Sequence, residues 1–268
     1  MKAIISTTSD DNYLFFLPIV NYCWRQLGVE TICFSPKKIG QKEWFVISQC
    51  RGCWHIGFDC KPDAEATYAQ VSRLFAAALP DLDKTERLIT SDADMLVFGD
   101  KLLNYHKGII LFGTDLLEGM EQYPMCYISM TVENWIEVMS IKGSYQECLD
   151  RMLGNEIANK DMRGNLWARD QELAYNMIRQ SNLPKTFIAR APTRFGQKHG
   201  QYFAENRVDR DDINWRSYLG QNLIDAHLWR PGYTDQNFAN IMELLTTQYP
   251  TDSFEWLIKY RNAYISLL

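Results

Sequence analysis

The chain has 268 residues, of which 46% are hydrophobic and 23% charged, and its formal net charge is −5. These values are typical of a globular protein with a substantial core and exclude fibrous and disordered classes. The acidic balance gives no general electrostatic footprint for nucleic acid, so we expect no such partner. Because no apolar run reaches the roughly 18 residues of a membrane helix and no signal peptide is recognisable, we expect a cytoplasmic protein without a membrane span.

The seven cysteines are an odd number at scattered spacings. This pattern excludes a complete disulfide framework and favours reduced, mostly buried thiols. Cys50, Cys53, His55 and Cys60 form the one cluster that resembles a zinc site. Buried thiols are favoured over zinc there because no second CxxC pair follows.

The first 34 residues predict a strand, a helix and a second strand. An apolar run over residues 3–7 is followed by a polar cluster that can cap a helix over residues 14–27, and residues 29–34 predict the next strand. Such a unit indicates a parallel sheet. The turn after the first strand has neither a dinucleotide-binding GxGxxG pattern nor a P-loop, so only a general polar pocket is predicted there.

Later elements continue the α/β pattern in what we expect to be one domain over residues 1–268, with a nucleotide-binding half at 1–100 and an acceptor-side half at 101–268. A helix is predicted over residues 64–79 and a buried strand over 87–90. Further strands are expected at 108–112, 125–130, 186–189 and 223–227, and helices at 132–141, 170–180, 236–247 and 254–264. The basic, glycine-containing segment 190–207 predicts a surface loop suited to close over a ligand.

Two carboxylates, Asp92 and Asp94, follow the buried strand. Residues two apart in a strand point to the same side, so we expect both to face one point beyond the sheet edge. Carboxylate oxygens suit Mn²⁺ or Mg²⁺, which usually keep coordination sites for water and substrate phosphate. The pair therefore predicts a metal site that bridges to a diphosphate.

The surrounding block is more specific than the acidic pair alone. A helix carrying Arg73, then Leu79-Pro-Asp-Leu-Asp-Lys84, then a strand ending in Asp92-Ala-Asp94, resembles the core signature of GT-A fold glycosyltransferases. The resemblance is closest to the retaining family that contains glycogenin and the lipopolysaccharide galactosyltransferases. It implies an α/β, Rossmann-like fold with a mixed, mostly parallel central sheet flanked by helices. The implied activity is metal-dependent transfer of a hexose from a UDP- or GDP-sugar to a glycan or glycoprotein acceptor, with retention.

The same resemblance implies roles for individual residues. The turn after the first strand matches the part of the family that holds the nucleotide, the Asp-Gln pair at 170–171 matches a helix start near the reacting sugar, and residues 225–232 resemble a late histidine motif. The implied nucleotide and donor contacts are Thr7, Thr8, Ser9, Tyr13, Arg73, Asp92, Ala93 and Arg230; the implied metal ligands are Asp92, Asp94 and His227; the implied catalytic residues are Asp170 and Gln171.

Two other functions remain open at this stage. A strand that ends in Asp92-Ala-Asp94 superficially matches the nucleophile loop of haloacid-dehalogenase-like phosphatases, although that family places its loop on an early strand. A non-catalytic module that binds nucleotide sugars or glycans is also consistent with 8 Trp and 14 Tyr, whose rings can stack on sugars. Detection of free nucleotide and glycosylated product distinguishes these classes.

Overall fold

A computed structural model describes residues 1–61, 64–158, 168–194, 197–198, 200–203 and 207–268. The strands are β1 (Lys2–Ser6), β2 (Glu30–Pro36), β3 (Cys53–Phe58), β4 (Arg87–Ser91), β5 (Met95–Val97), β6 (Ile109–Phe112), β7 (Ile128–Thr131), β8 (Lys185–Ile188), β9 (Thr193–Arg194), β10 (Gln197–Lys198) and β11 (Asp225–His227). The helices are α1 (Asp11–Leu14), α2 (Leu17–Gln26), α3 (Gln41–Gln49), α4 (Glu65–Ser72), α5 (Val132–Val138), α6 (Tyr145–Ala158), α7 (Arg169–Gln180), α8 (Asp235–Gln248) and α9 (Glu255–Ile265).

The central sheet has seven strands in the order β3-β2-β1-β4-β7-β6-β8. All neighbours pair in parallel except that β7 runs antiparallel to both β4 and β6. Helices flank the sheet, and the predicted fold class, a mixed and mostly parallel GT-A sheet, is confirmed. In such sheets ligands bind beyond the carboxyl ends of the strands, which directs attention to the ends of β1 and β4.

Both faces of the sheet are buried, as the apolar sequences of its central strands require. Ile5 and Cys33 point into one core together with residues of α2, α8 and α9, whereas Ile4 and Ile32 point into a second core with residues of α4, α5 and α6. This division follows from the two-residue alternation of side chains along β1 and β2.

Several elements differ from the sequence-based expectation. The predicted helix over residues 64–79 is an α-helix only to Ser72 and continues as a 3₁₀ helix over Arg73–Ala78. The predicted helix over 14–27 is divided into α1 and α2, with Pro18 in the first turn of α2, where a missing amide hydrogen is tolerated. The elements α3, α6, β3 and β5 had no prediction; β5 has three residues, too few to show a period.

The basic segment 190–207 is only partly described, since residues 195–196, 199 and 204–206 lie outside the described residues. Its described part contains β9 paired antiparallel with β10. Closure of this segment over a ligand stays a prediction.

Two members of the cluster that resembles a zinc site, Cys53 and His55, lie in β3, whereas Cys50 follows α3 and Cys60 follows β3. All seven cysteines are free thiols, and Cys50 is buried. His55 lies in β3, and its Nε2 is 2.7 Å from the hydroxyl of Ser35 on β2.

As for membrane segments, none of the helices among the described residues is both long enough and apolar enough to cross a bilayer.

Candidate functional site

A cavity of about 270 Å³ opens beyond the carboxyl ends of β1 and β4. Its walls come from the turn after β1, from α4 and the 3₁₀ segment behind it, from the turn after β4, from the start of α7 and from the chain around β11. The lining residues are Ser6, Thr7, Thr8, Asp10, Tyr13, Ala66, Ala69, Gln70, Arg73, Asp92, Ala93, Asp94, Asp170, Gln171, Arg210, His227 and Arg230. The fold therefore brings together every residue that the sequence indicated except Ser9.

Arg73 is the centre of one wall. It begins the 3₁₀ segment after α4, and its guanidinium donates to Asp92 Oδ1 at 2.5 Å and to Asp170 Oδ2 at 2.6 Å. A further bond at 3.0 Å to the carbonyl oxygen of Ser91 ties it to the end of β4. Burial alone would lower the pKa of Arg73, but the two carboxylates outweigh this effect and raise it. Arg73 thus joins two carboxylates that are far apart in the sequence.

Asp170 is fixed at both of its oxygens. Oδ2 accepts from Arg73, and Oδ1 accepts from the backbone N–H of Gln171 at 2.9 Å. The side chain lies in the first turn of α7, where a negative charge is favoured by the helix dipole. Burial raises the pKa of Asp170 even though Arg73 acts in the opposite direction. Glu172, two residues later, is more exposed, pairs with Arg169 and does not line the cavity.

Asp94 is the centre of a second wall, which is rich in positive groups. Its Oδ2 lies 2.9 Å from Arg210, 3.3 Å from His227 Nε2 and 3.4 Å from Arg230 Nε. Burial by itself would raise the pKa of Asp94, but His227 and the two arginines lower it below its ordinary value. Asp92 and Asp94 therefore face one cavity but have different partners.

The expectation that Asp92 and Asp94 lie two residues apart within one strand is wrong. β4 ends at Ser91 and β5 begins at Met95, so Asp92 and Asp94 lie in the turn between two strands and not within one. Strand alternation does not apply in a turn, so the path of this turn brings both side chains to the cavity.

The strand pair β5 and β11 positions His227. The two strands are antiparallel, and His227 pairs with Met95, the residue after Asp94. The N–H of Leu228 then donates to the carbonyl oxygen of Asp94 at 3.0 Å. His227 also donates through its backbone N–H to Val208, which places Asp209 and Arg210 next to the same wall.

Asp209 lies behind the imidazole. Its Oδ1 is 3.7 Å from His227 Nδ1, while Nε2 of the same ring faces Asp94. Burial by itself would lower the pKa of His227, but Asp209 and Asp94 raise it above its ordinary value. Arg207 adds a positive charge near Asp209, with Nε 3.6 Å from Oδ2.

Tyr13 and Arg230 close the end of the cavity nearest β1. The Arg230 guanidinium lies 4.7 Å from the centre of the Tyr13 ring and donates to its hydroxyl. The chain after Arg230 packs directly on the start of α2. Gly232 makes this packing possible, because a Cβ at that position would lie 2.3 Å from a ring carbon of Phe16. Ser9 instead turns outward, and its N–H and hydroxyl both bond to Glu65 Oε1.

Sequence reasoning missed three functional candidates in or beside the cavity. Gln70 lies on α4, and Asp209 and Arg210 follow the short bridge at Val208. The last two lie in a segment without periodicity or motif, and only the pairing with β11 brings them to the site.

The predicted Mn²⁺ or Mg²⁺ ligands fit such an ion by chemistry. Asp94 and His227 present a carboxylate oxygen and an imidazole nitrogen side by side, and Asp209 gives the imidazole the carboxylate support usual for metal-binding histidines. Asp92 lines the same cavity but accepts from Arg73. In the described part of the chain, no three His, Cys, Asp or Glu side chains are already grouped as a metal site.

Comparisons with known proteins identify the fold. No protein-family model and no curated protein sequence matches the chain. A galactosyltransferase, LgtC, solved in complex with donor and acceptor sugar analogs, is similar over 97% of this chain and 100% of its own, with 11% identity and a TM-score of 0.51. An active-site mutant of LgtC gives a TM-score of 0.52 at 11% identity, over 96% of this chain and 99% of its own. The glycosyltransferase GlyE of Streptococcus pneumoniae TIGR4 matches 99% of this chain and 63% of its own at 13% identity, with a TM-score of 0.49. The two LgtC matches show that the chain has the fold of GT-A glycosyltransferases.

Proposed function

We propose that this protein is a metal-dependent glycosyltransferase that moves a hexose from a UDP- or GDP-sugar to a glycan or glycoprotein acceptor, with retention of configuration. The observation that carries the proposal is the meeting of Arg73, Asp92, Asp94, Asp170 and His227 in one cavity at the carboxyl ends of β1 and β4. This is where a sheet of this type binds nucleotides. The likeness of the fold to a galactosyltransferase supports the same function.

The cavity has a place for each part of such a donor. Thr7, Thr8 and Tyr13 line the end next to β1, where a base and ribose would lie. Asp92, Asp94 and His227 would hold Mn²⁺ or Mg²⁺, which when bound acts as a Lewis acid on the leaving diphosphate. Arg230 adds a positive charge at the same wall.

The wall around Arg73 and Asp170 would orient the sugar. Both oxygens of Asp170 already accept hydrogen bonds, and its position is set by Arg73 and by the start of α7. A carboxylate held in this way suits binding and orienting sugar hydroxyls better than removing a proton from an acceptor. Gln171 lines the cavity beside it, next to where the reacting carbon would lie. These roles favour retention, with the leaving phosphate assisting proton removal from the acceptor.

A panel of UDP- and GDP-sugars with and without Mn²⁺ tests the proposal. We expect one donor to raise the melting temperature in Mn²⁺, since a ligand at 100 times its Kd stabilises a protein by about 2.7 kcal/mol, and we expect EDTA to remove the effect. Free nucleotide and a glycosylated product should then appear together. Phosphate release from monoesters would instead favour the phosphatase, and binding without turnover would favour the non-catalytic module.

The stereochemistry is tested separately on the product. We expect the anomeric coupling in the NMR spectrum of the new linkage to show the configuration of the donor. Inversion would refute retention and would require a carboxylate of the cavity to act as general base.

A further inference from the structure

Arg210 occupies a position that the proposed function does not yet explain. Its guanidinium lines the cavity and lies 2.9 Å from Asp94 Oδ2, and its side chain is 21% exposed. Within the described residues, Asp94 is the one acidic group within ion-pair distance of Arg210. A charged side chain with a single buried partner at the edge of a cavity is placed to exchange that partner for a ligand.

The balance of charge favours an anionic ligand at this wall. Arg210 and Arg230 both approach the same oxygen of Asp94, so two guanidinium charges face one carboxylate. At the other wall the balance is reversed, because Arg73 faces two carboxylates. The surplus positive charge of the cavity therefore lies around Asp94.

The type of residue narrows the ligand further. A guanidinium offers several N–H donors in a planar array that matches the oxygens of a phosphate group, and its bonds to phosphate are charge-assisted. Two arginines next to each other match two linked phosphates. Burial raises the pKa of Tyr13, whereas the positive charges of Arg230 and Arg210 act to lower it. Both guanidinium groups are therefore close enough to act on Tyr13, at the nucleotide end of the cavity.

We propose that Arg210 binds the diphosphate of the donor, and that Asp94 holds its guanidinium in the cavity while no diphosphate is present. The identity of the ligand rests on the proposed function. Asp94 then competes with the diphosphate for Arg210, and the same exchange removes the nearest of the three groups around Asp94 Oδ2 when the donor binds. Two opposite effects on diphosphate affinity follow, one for each partner of the ion pair.

Calorimetric titration with inorganic pyrophosphate in EDTA tests this without metal, sugar or turnover. We expect Arg210→Gln to weaken binding by roughly tenfold or more, the usual effect of losing a hydrogen bond between charged groups. Asp94→Asn should tighten binding several-fold, because it removes the competing carboxylate. In the double variant the gain should be smaller than in Asp94→Asn alone, since Arg210 is no longer there to be released and, of the two arginines, only Arg230 still loses its pairing with Asp94. Arg216→Gln is the matched control, because Arg216 pairs with Glu243 outside the cavity.

Each result decides the proposal. Pyrophosphate affinity within twofold of the unaltered protein in Arg210→Gln, or no pyrophosphate binding by the unaltered protein, would overturn it. A gain in the double variant, measured against Arg210→Gln, that is as large as the gain of Asp94→Asn over the unaltered protein would overturn the competition, and so would weaker binding in Asp94→Asn. Thermal melts show whether each variant folds, and if Asp94→Asn does not, the Arg210→Gln result alone decides diphosphate binding. Failure of the proposed function would appear elsewhere, as absent sugar transfer with pyrophosphate binding intact.

Discussion

The two walls of the cavity are built on opposite principles. In the Arg73 wall, formed by Arg73, Asp92 and Asp170, the Arg73 and Asp170 side chains are only 7% and 2% exposed and Asp92 is 34% exposed, and Arg73 bonds to both carboxylates. In the Asp94 wall, formed by Asp94, His227, Arg210 and Arg230, three positively charged or titratable groups share one carboxylate oxygen and are 20–25% exposed.

This difference separates positioning from exchange. A buried ion pair such as Arg73–Asp170 stays in one arrangement, because removing either partner leaves a buried charge without compensation. In the Asp94 wall three groups that are 20–25% exposed surround one carboxylate, so Asp94 keeps other partners when one ion pair opens, and the released group can bind an anion. We therefore expect the Arg73 wall to hold the sugar in place and the Asp94 wall to receive the diphosphate.

The largest effect is expected at Asp170. Asp170→Asn should lower kcat by a factor on the order of 10²–10⁴, as for loss of a positioned catalytic group. Glu172→Gln is the control on the same helix and should change kcat only slightly, because Glu172 does not line the cavity. Steady-state kinetics of both variants with the identified donor measures the difference. Equal losses in the two variants would remove the assignment of Asp170 to the sugar.

Arg73→Ala should have the largest effect on folding. It leaves the buried Asp170 without its partner, and breaking a buried ion pair in this way destabilises a protein by about 3–5 kcal/mol. Arg179→Ala on α7 is the control, because the Arg179 side chain is 66% exposed, and it should cost less than about 1 kcal/mol. Urea denaturation gives both free energies of unfolding.

Arg230→Gln should affect the fold much less than Arg73→Ala. Its ion pair with Asp94 is 3.4 Å long and its side chain is 25% exposed, so we expect less than about 1 kcal/mol in the free energy of unfolding. Pyrophosphate affinity should fall in the same variant. A loss of stability as large as that of Arg73→Ala would contradict the distinction between the two walls.

The smallest effect is expected in the pH dependence of stability, where two histidines act in opposite directions. The pKa of His227 is raised in the folded protein, so His227 stabilises the fold below its ordinary pKa near 6.5, and this stabilisation is lost as the pH rises through its pKa in the folded protein. Burial lowers the pKa of His55, so His55 stabilises the fold above its ordinary pKa, and this stabilisation is lost as the pH falls through its pKa in the folded protein. The free energy of unfolding is measured at several pH values between pH 5 and pH 8, on the order of one unit either side of the ordinary pKa. Its slope against pH should change in opposite senses in His227→Gln and His55→Gln. Changes of the same sense would show that the surroundings of one histidine are misassigned.

The sequence determined the fold class and all three residues of the Arg73 wall. Alternating and helical apolar patterns are local signals, and they predicted β1, β2 and β4 close to their observed bounds. The resemblance over residues 68–100 brought Arg73 and Asp92 into consideration, and a start of α7 at Asp170 follows from its short motif. Elements with little pattern of their own, such as β3 and β5, were not predictable in this way.

Only the tertiary structure decided which side chains meet. The bonds from Arg73 to Asp92 and Asp170 span 19 and 97 residues of sequence, and Arg210 reaches Asp94 across 116. Arg210 arrives there because Val208 pairs with Ala226 and β11 pairs with β5, which fixes the neighbours of Asp94 through backbone hydrogen bonds. Such pairings depend on strand register between distant segments, and strands of three residues and an isolated bridge are too short for a hydrophobic pattern to specify that register.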